Sequence, residues 1–166
     1  MIKKILVVLI GLMLFTVTVC TIKVTTDENT AVTYVKAQGY KITAQKGEVL
    51  KYTLEKSKLY GAIDTIYFQE VWGVQMVEPE MYLSKEITVY GFTVKNHPLE
   101  KIYKESKGAN VFIMLSGGKA IGGYSSPNTD ELIIGGAYSL DGKTLEEVTG
   151  LSYQQWCENW KRKYAN

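Results

Sequence analysis

Asn110-Val111-Phe112-Ile113-Met114-Leu115-Ser116-Gly117-Gly118-Lys119-Ala120-Ile121-Gly122-Gly123-Tyr124 is the stretch that decides the fold. Val111 to Leu115 is apolar at every position, as a central strand buried on both faces must be. Gly117-Gly118 then supplies a two-residue turn, because a primed turn demands positive φ angles that glycine adopts cheaply. Lys119 to Tyr124 returns as the partner strand. The pair is a hairpin, and hairpins build antiparallel sheet.

Working outward, the same alternation recurs on both sides. Ile87 to Val94 is rich in β-branched and aromatic residues and ends at Asn96-His97-Pro98, where proline removes a ladder donor. Tyr40 to Ala44 and Val49 to Leu54 read as two further strands with Lys46-Gly47 turning between them. Leu132 to Tyr138 reads as another, and Asp141-Gly142 as the next turn.

Helical periods frame these strands. Thr25 and Glu28 have the spacing of a capping box, Ala31, Val32, Tyr34 and Val35 follow it, and Gly39 supplies the stop. Leu59, Ile63, Ile66, Tyr67 and Val71 fall on one face of a helix predicted to reach Trp72. Thr144 with Glu147, and Ser152 with Gln155, open two more helices. The last places Tyr153, Trp156, Cys157, Trp160 and Tyr164 on one face, with Lys161, Arg162 and Lys163 at the negative end of its dipole. The expected fold class is α+β, a mostly antiparallel sheet with flanking helices.

Ahead of this domain, Lys3 and Lys4 precede an apolar run that continues without a charge to Ile22. Such a run partitions into a bilayer, and its length is near the minimum for a helical span. Residues 1–22 therefore read as a signal anchor or signal peptide, and residues 23–166 as one extracytoplasmic domain. Val17-Thr18-Val19 is poor in the small residues that cleavage requires. Cys20 is placed for lipidation, but Val19 is the wrong residue before it. An uncleaved single-pass anchor through residues 5–22 fits best, with the C-terminal domain outside the cytoplasm. Secretion is the alternative.

Charge narrows the partners. The chain has 19 basic and 17 acidic side chains, and without Lys3 and Lys4 the two classes are equal. A domain of no net charge offers no global footprint for nucleic acid. Cys20 and Cys157 are the only cysteines, so no disulfide is expected within the domain.

Reactive constellations are sparse. His97 is the only histidine and sits at a strand end, where a base would be reachable; without a second titratable partner in sequence it reads first as a loop-boundary residue hydrogen-bonded to backbone. Cys157 lies on an apolar face, which suppresses the thiolate. Ser116-Gly117-Gly118-Lys119 fails the phosphate-loop pattern at Ile113 and Ala120. No pattern of metal ligands or cofactor loops stands out, so no cofactor or metal is expected. Glu70, Glu78, Glu80, Glu146 and Glu147 are separate carboxylates with no pair singled out. The glycine pairs Gly122-Gly123 and Gly135-Gly136 mark places where another chain segment approaches a strand closely. That segment is either the protein's own or a bound peptide, and Tyr124 follows the first pair as a groove-lining candidate.

Val94-Lys95-Asn96-His97-Pro98-Leu99, Ala120-Ile121-Gly122-Gly123-Tyr124 and Tyr138-Ser139-Leu140-Asp141-Gly142-Lys143-Thr144-Leu145-Glu146 resemble segments of small extracytoplasmic proteins of Gram-positive bacteria, which join a membrane leader or lipobox to one domain of unknown function. The resemblance implies a cell-envelope location and a compact α+β domain; it transfers no catalytic residue. The expected role is a membrane-tethered, non-catalytic module that binds an envelope protein or peptide. The alternative is an extracytoplasmic hydrolase using His97 with carboxylates assembled by the fold.

Overall fold

The computed structural model describes residues 26–61, 63–130 and 136–165. The leader, Cys20 and Gly135 lie outside them. Among the described residues no helix is long and apolar enough to cross a membrane.

The chain runs through α1 (Thr26–Ala37), β1 (Lys41–Thr53), α2 (Lys56–Leu59), α3 (Ile66–Gly73), β2 (Glu86–Lys95), α4 (Leu99–Ile102), β3 (Ala109–Ser116), β4 (Lys119–Pro127), β5 (Tyr138–Ser139), α5 (Leu145–Thr149) and α6 (Tyr153–Tyr164). The strands form one antiparallel sheet in the order β1-β2-β3-β4-β5. The domain is thus α+β with flanking helices. Gly117 and Gly118 turn between β3 and β4 with φ of 56° and 75°, as the hairpin requires.

The sheet is covered on both faces, and the two covers differ. On one face Ala31 and Val35 of α1 pack against Phe92, Val94, Val111 and Ile113. On the other, α2, α3, α5 and α6 cover Ile87, Val89 and Met114 with Leu59, Trp72, Trp156 and Trp160. This explains why β2 and β3 read as apolar on both faces. Two of the three predicted capping boxes form, Thr144 with Glu147 opening α5 and Ser152 with Gln155 opening α6; Thr25 of the third lies outside the described residues. Trp156, Trp160 and Tyr164 of α6 are buried, whereas Tyr153 is half exposed and Cys157 only partly covered.

Two expectations are corrected. Lys46-Gly47 is no turn: residues 41–53 form one strand that pairs with β2 along its whole length. Thr43, Lys46 and Val49 have no opposite number in that ladder, so β1 has three bulges. Gly47 adopts a φ of 70°, and a glycine in that conformation serves a bulge as readily as a turn. The helix predicted through Leu59 to Trp72 is likewise broken. Tyr60 is extended and Gly61 has a φ of 142°, which separates α2 from a 3-10 turn at Ile63–Thr65 and from α3. The buried face is therefore Leu59, Val71 and Trp72, leaving Ile63, Ile66 and Tyr67 exposed. Of the strand predicted over residues 132–138, the described part joins the sheet only at Tyr138 in β5, paired with Ser125.

Candidate binding groove along the β4 edge

β5 pairs only with Tyr124 and Ser125 of β4. Among the described residues, no strand lies beside Lys119–Gly123 on the side away from β3. The backbone donors and acceptors of an unpaired strand edge are a template for an added strand. The opposite edge of the sheet is guarded: β1 is interrupted by its three bulges and carries exposed Lys41, Lys46 and Lys51. Bulges and lysines both discourage strand addition. The β4 edge has Lys119 alone, followed by Ala120, Ile121, Gly122 and Gly123.

Two depressions run along this edge and meet at Tyr34. One, of about 620 Å³, lies between α1 and the hairpin, with Asn29, Thr30, Thr33 and Ala37 facing Gly118–Ala120. The other, of about 600 Å³, continues past Ile121–Gly123 and is bounded by Met76, Val77, Asp141, Lys143 and Val148. Asp141 and Lys143 form an ion pair at 2.8 Å with both side chains about half exposed, so the pair adds little stability. Burial alone would raise the Asp141 carboxyl; hydrogen bonds from Lys143 and Ser139 outweigh that and hold it below the usual carboxylate range.

Gln75 stands over the centre of the groove. Its Nε2 donates to the Val71 carbonyl at 2.6 Å, and its Oε1 accepts the Gly123 backbone N–H at 2.9 Å. The side-chain amide thus satisfies the donor that a neighbouring strand would otherwise take. A Cβ on Gly122 would lie 2.3 Å from Gln75 Oε1, and one on Gly123 would lie 2.6 Å from the Phe112 carbonyl oxygen. The first glycine pair is therefore approached by the protein's own side chain and backbone, and also lines the open groove.

The other predicted residues are placed elsewhere. Tyr124 is turned away from the groove: it is buried, stacks on Phe112 at 4.8 Å and shares a hydrogen bond with the Tyr67 hydroxyl. Burial pushes its hydroxyl well above the ordinary tyrosine range. Gly136 lines a separate cavity of about 240 Å³ with Glu70, Tyr138, Glu146 and Tyr153. The Glu70 carboxyl presses on Gly136 within about 3.2 Å of where a Cβ would stand, and burial raises its pKa. Gln75, Met76 and the threonines of α1 were not singled out from sequence. No motif marks them, since a glutamine that caps a strand edge has no characteristic spacing.

His97 lies on the α1 side of the sheet, 2 % exposed, with its ring 4.7 Å from that of Tyr40. Nδ1 accepts the Leu99 backbone N–H at 3.2 Å, which leaves Nε2–H to donate to the Leu140 carbonyl at 3.0 Å. Tyr40 donates to the same carbonyl at 3.0 Å. Both ring nitrogens are thus engaged by backbone. Burial pulls the imidazole below the ordinary histidine range, against the opposing effects of the Leu140 carbonyl, Glu100 and Asp141. An unfolded histidine titrates near pH ~6.5, so on acidification the unfolded chain takes up a proton before the native one does. This contribution to stability is present above about pH 6.5 and lost as pH falls towards the lower native pKa, at up to roughly 1.4 kcal/mol per pH unit. The urea midpoint of the native sequence should fall between pH 7.5 and 5.5, and that of His97→Gln should fall much less. Equal slopes for the two would show that another group titrates.

Comparison with family models, curated proteins and solved structures finds no match in any of the three.

Proposed function

We propose that this is a peptide-binding module of the cell envelope, held at the outer face of a membrane by residues 5–22, which takes an extended peptide as an added strand on β4. The observation that supports it is the Lys119–Gly122 edge, which has no strand beside it among the described residues, on a sheet whose other edge is guarded. Strand addition draws affinity from main-chain hydrogen bonds and specificity from the walls beside the edge. The apolar, charge-free run from Ile5 to Ile22 supports the tether. Nothing in the surroundings of His97 favours hydrolysis, because its ring nitrogens are occupied by Leu99 and Leu140.

The test uses the isotope-labelled full chain in lipid nanodiscs and a pool of random capped hexapeptides. Binding members should shift the Lys119–Gly122 amides and slow the exchange of those that face away from β3, while the β1 amides stay unmoved. N-methylating alternate residues of a binding peptide should lower its affinity tenfold or more, since each lost hydrogen bond costs about 0.5–1.5 kcal/mol. No perturbation of these amides by any peptide, or an affinity indifferent to N-methylation, would overturn the reading.

A further inference from the structure

Residues 23–166 carry equal numbers of basic and acidic side chains, but these are unevenly placed. Where β1 begins and β2 ends, Lys41 and Lys95 stand directly opposite each other in the ladder. Like charges in that arrangement repel and cost stability. Glu100 pairs with Lys95 at 3.4 Å, and Asp130 with Lys107 at 2.5 Å. Lys107 belongs to the same end of the sheet, since a Cβ on the adjacent Gly108 would lie 3.6 Å from Lys95 Cδ. Lys36 in the last turn of α1, Lys41, Lys101 in α4 and Lys104 just beyond it are exposed. Among the described residues no carboxylate lies within ion-pair distance of these four. Six lysines thus share this end with three described carboxylates, Glu100, Glu105 and Asp130. The rest of residues 23–166 holds the balancing excess of acid.

α1 sets the direction in which this end faces. Asp27, in its first turn, lies beside Gly118 at the opposite end of the sheet, 3.4 Å from where a Cβ would stand. Twelve helical residues advance about 18 Å, and Tyr40 just beyond them meets the ring of His97 past the end of β2. A tether at residues 5–22 joins the Thr26 end, so the lysine-rich end points away from the bilayer and its headgroups. An anion of a few atoms cannot meet lysines on α1, β1, α4 and the loop before β3 at once. A linear polymer can, gaining from the counterions that each contact releases. The chain's one arginine, Arg162, is in α6. Planar carboxylates are held best by arginine's fork, whereas the lysine ammonium is a point charge that serves phosphate well.

We infer that this end of the sheet binds a linear phosphate polymer, laid across Lys36, Lys41, Lys101 and Lys104. The surface goes beyond strand addition and shares no residue with the β4 edge. The repulsion between Lys41 and Lys95 is the stability given up to keep the charge there.

The test uses the full chain in phosphatidylcholine nanodiscs, which carry no net charge, titrated with long-chain inorganic polyphosphate. Binding should saturate, and its affinity should fall at least tenfold between roughly 50 and 200 mM salt. Lys41→Glu and Lys104→Glu should each weaken it about fivefold and lower the salt slope by roughly one. Lys41→Glu should also leave the urea midpoint at or above the native value, because it removes the like-charge pair. Lys161→Glu, the same change of net charge on α6, should leave the affinity within about twofold, since salt screens distant charges. No saturable binding, or equal losses from Lys41→Glu and Lys161→Glu, overturns the inference. Polyglutamate binding as tightly as polyphosphate would overturn the phosphate assignment in favour of an acidic protein. Peptide binding is read separately at the Lys119–Gly122 amides, so either reading can fail alone.

Discussion

Replacing Trp72 by alanine should lower the free energy of unfolding by about 3–5 kcal/mol, the cost of deleting a buried tryptophan side chain. Trp72 is 1 % exposed and lies on the helix-rich face of the sheet, with its ring 5.8 Å from that of Tyr82. Its Nε1–H donates to the Tyr52 hydroxyl at 3.1 Å, so truncation both opens a cavity and removes that donor. Burial pushes the Tyr52 hydroxyl above the ordinary tyrosine range, against the opposing effect of the Trp72 hydrogen bond. Against a total stability of roughly 5–15 kcal/mol for an ordinary domain, this loss is a large share. At an m-value of about 2 kcal/mol/M the urea midpoint should fall by roughly 2 M. Trp72→Phe, which keeps most of the volume but not the N–H, should cost less than half as much. A Trp72→Ala midpoint within a few tenths of the native value would show that this face is not a cooperative core.

Gly108→Ala should be as damaging through a different cause. Gly108 precedes β3 with a φ of 123°, and a Cβ there would stand 2.4 Å from the Val94 carbonyl oxygen. Val94 is the residue paired with Ala109, so relief requires moving the ladder between β2 and β3 at its end. Backbone strain of this kind costs about 1–3 kcal/mol before any clash is counted. Gly117→Ala is the internal control, because Gly117 also has a positive φ of 56° but nothing within 4 Å of a Cβ. That variant should lose about 1–2 kcal/mol from the left-handed conformation alone. Equal losses at the two positions would mean that the Val94 contact relaxes freely.

What the sequence made legible depends on whether the physics is local. The Gly117-Gly118 turn and the capping boxes at Thr144 and Ser152 are settled by neighbouring residues, and each formed as read. Lys46-Gly47 misled because positive φ belongs to bulges as well as turns; only pairing with β2 decides between them. The helix through Leu59 to Trp72 was mis-phased for a related reason. Leu59 and Val71 share a helical face only if the chain between them stays helical, and Tyr60-Gly61 does not. In the groove, Gly122 and Gly123 were visible as close-approach positions, while Gln75, which makes the approach, was not. Its role arises from the meeting of α3 with β4, two elements far apart in the chain.

The contrast between the two sheet edges bears on how copies of the domain can associate. A fibre grows only from a unit that accepts neighbours on both sides, as a polymer grows only from a bifunctional monomer. With β1 guarded by bulges and lysines, and no strand beside Lys119–Gly122 among the described residues, this sheet offers one edge along its hydrogen-bonding axis. On the strand-addition proposal, two copies joined through β4 would leave only their guarded β1 edges outward. Raising the local concentration of the domain should then give capped pairs and no fibre.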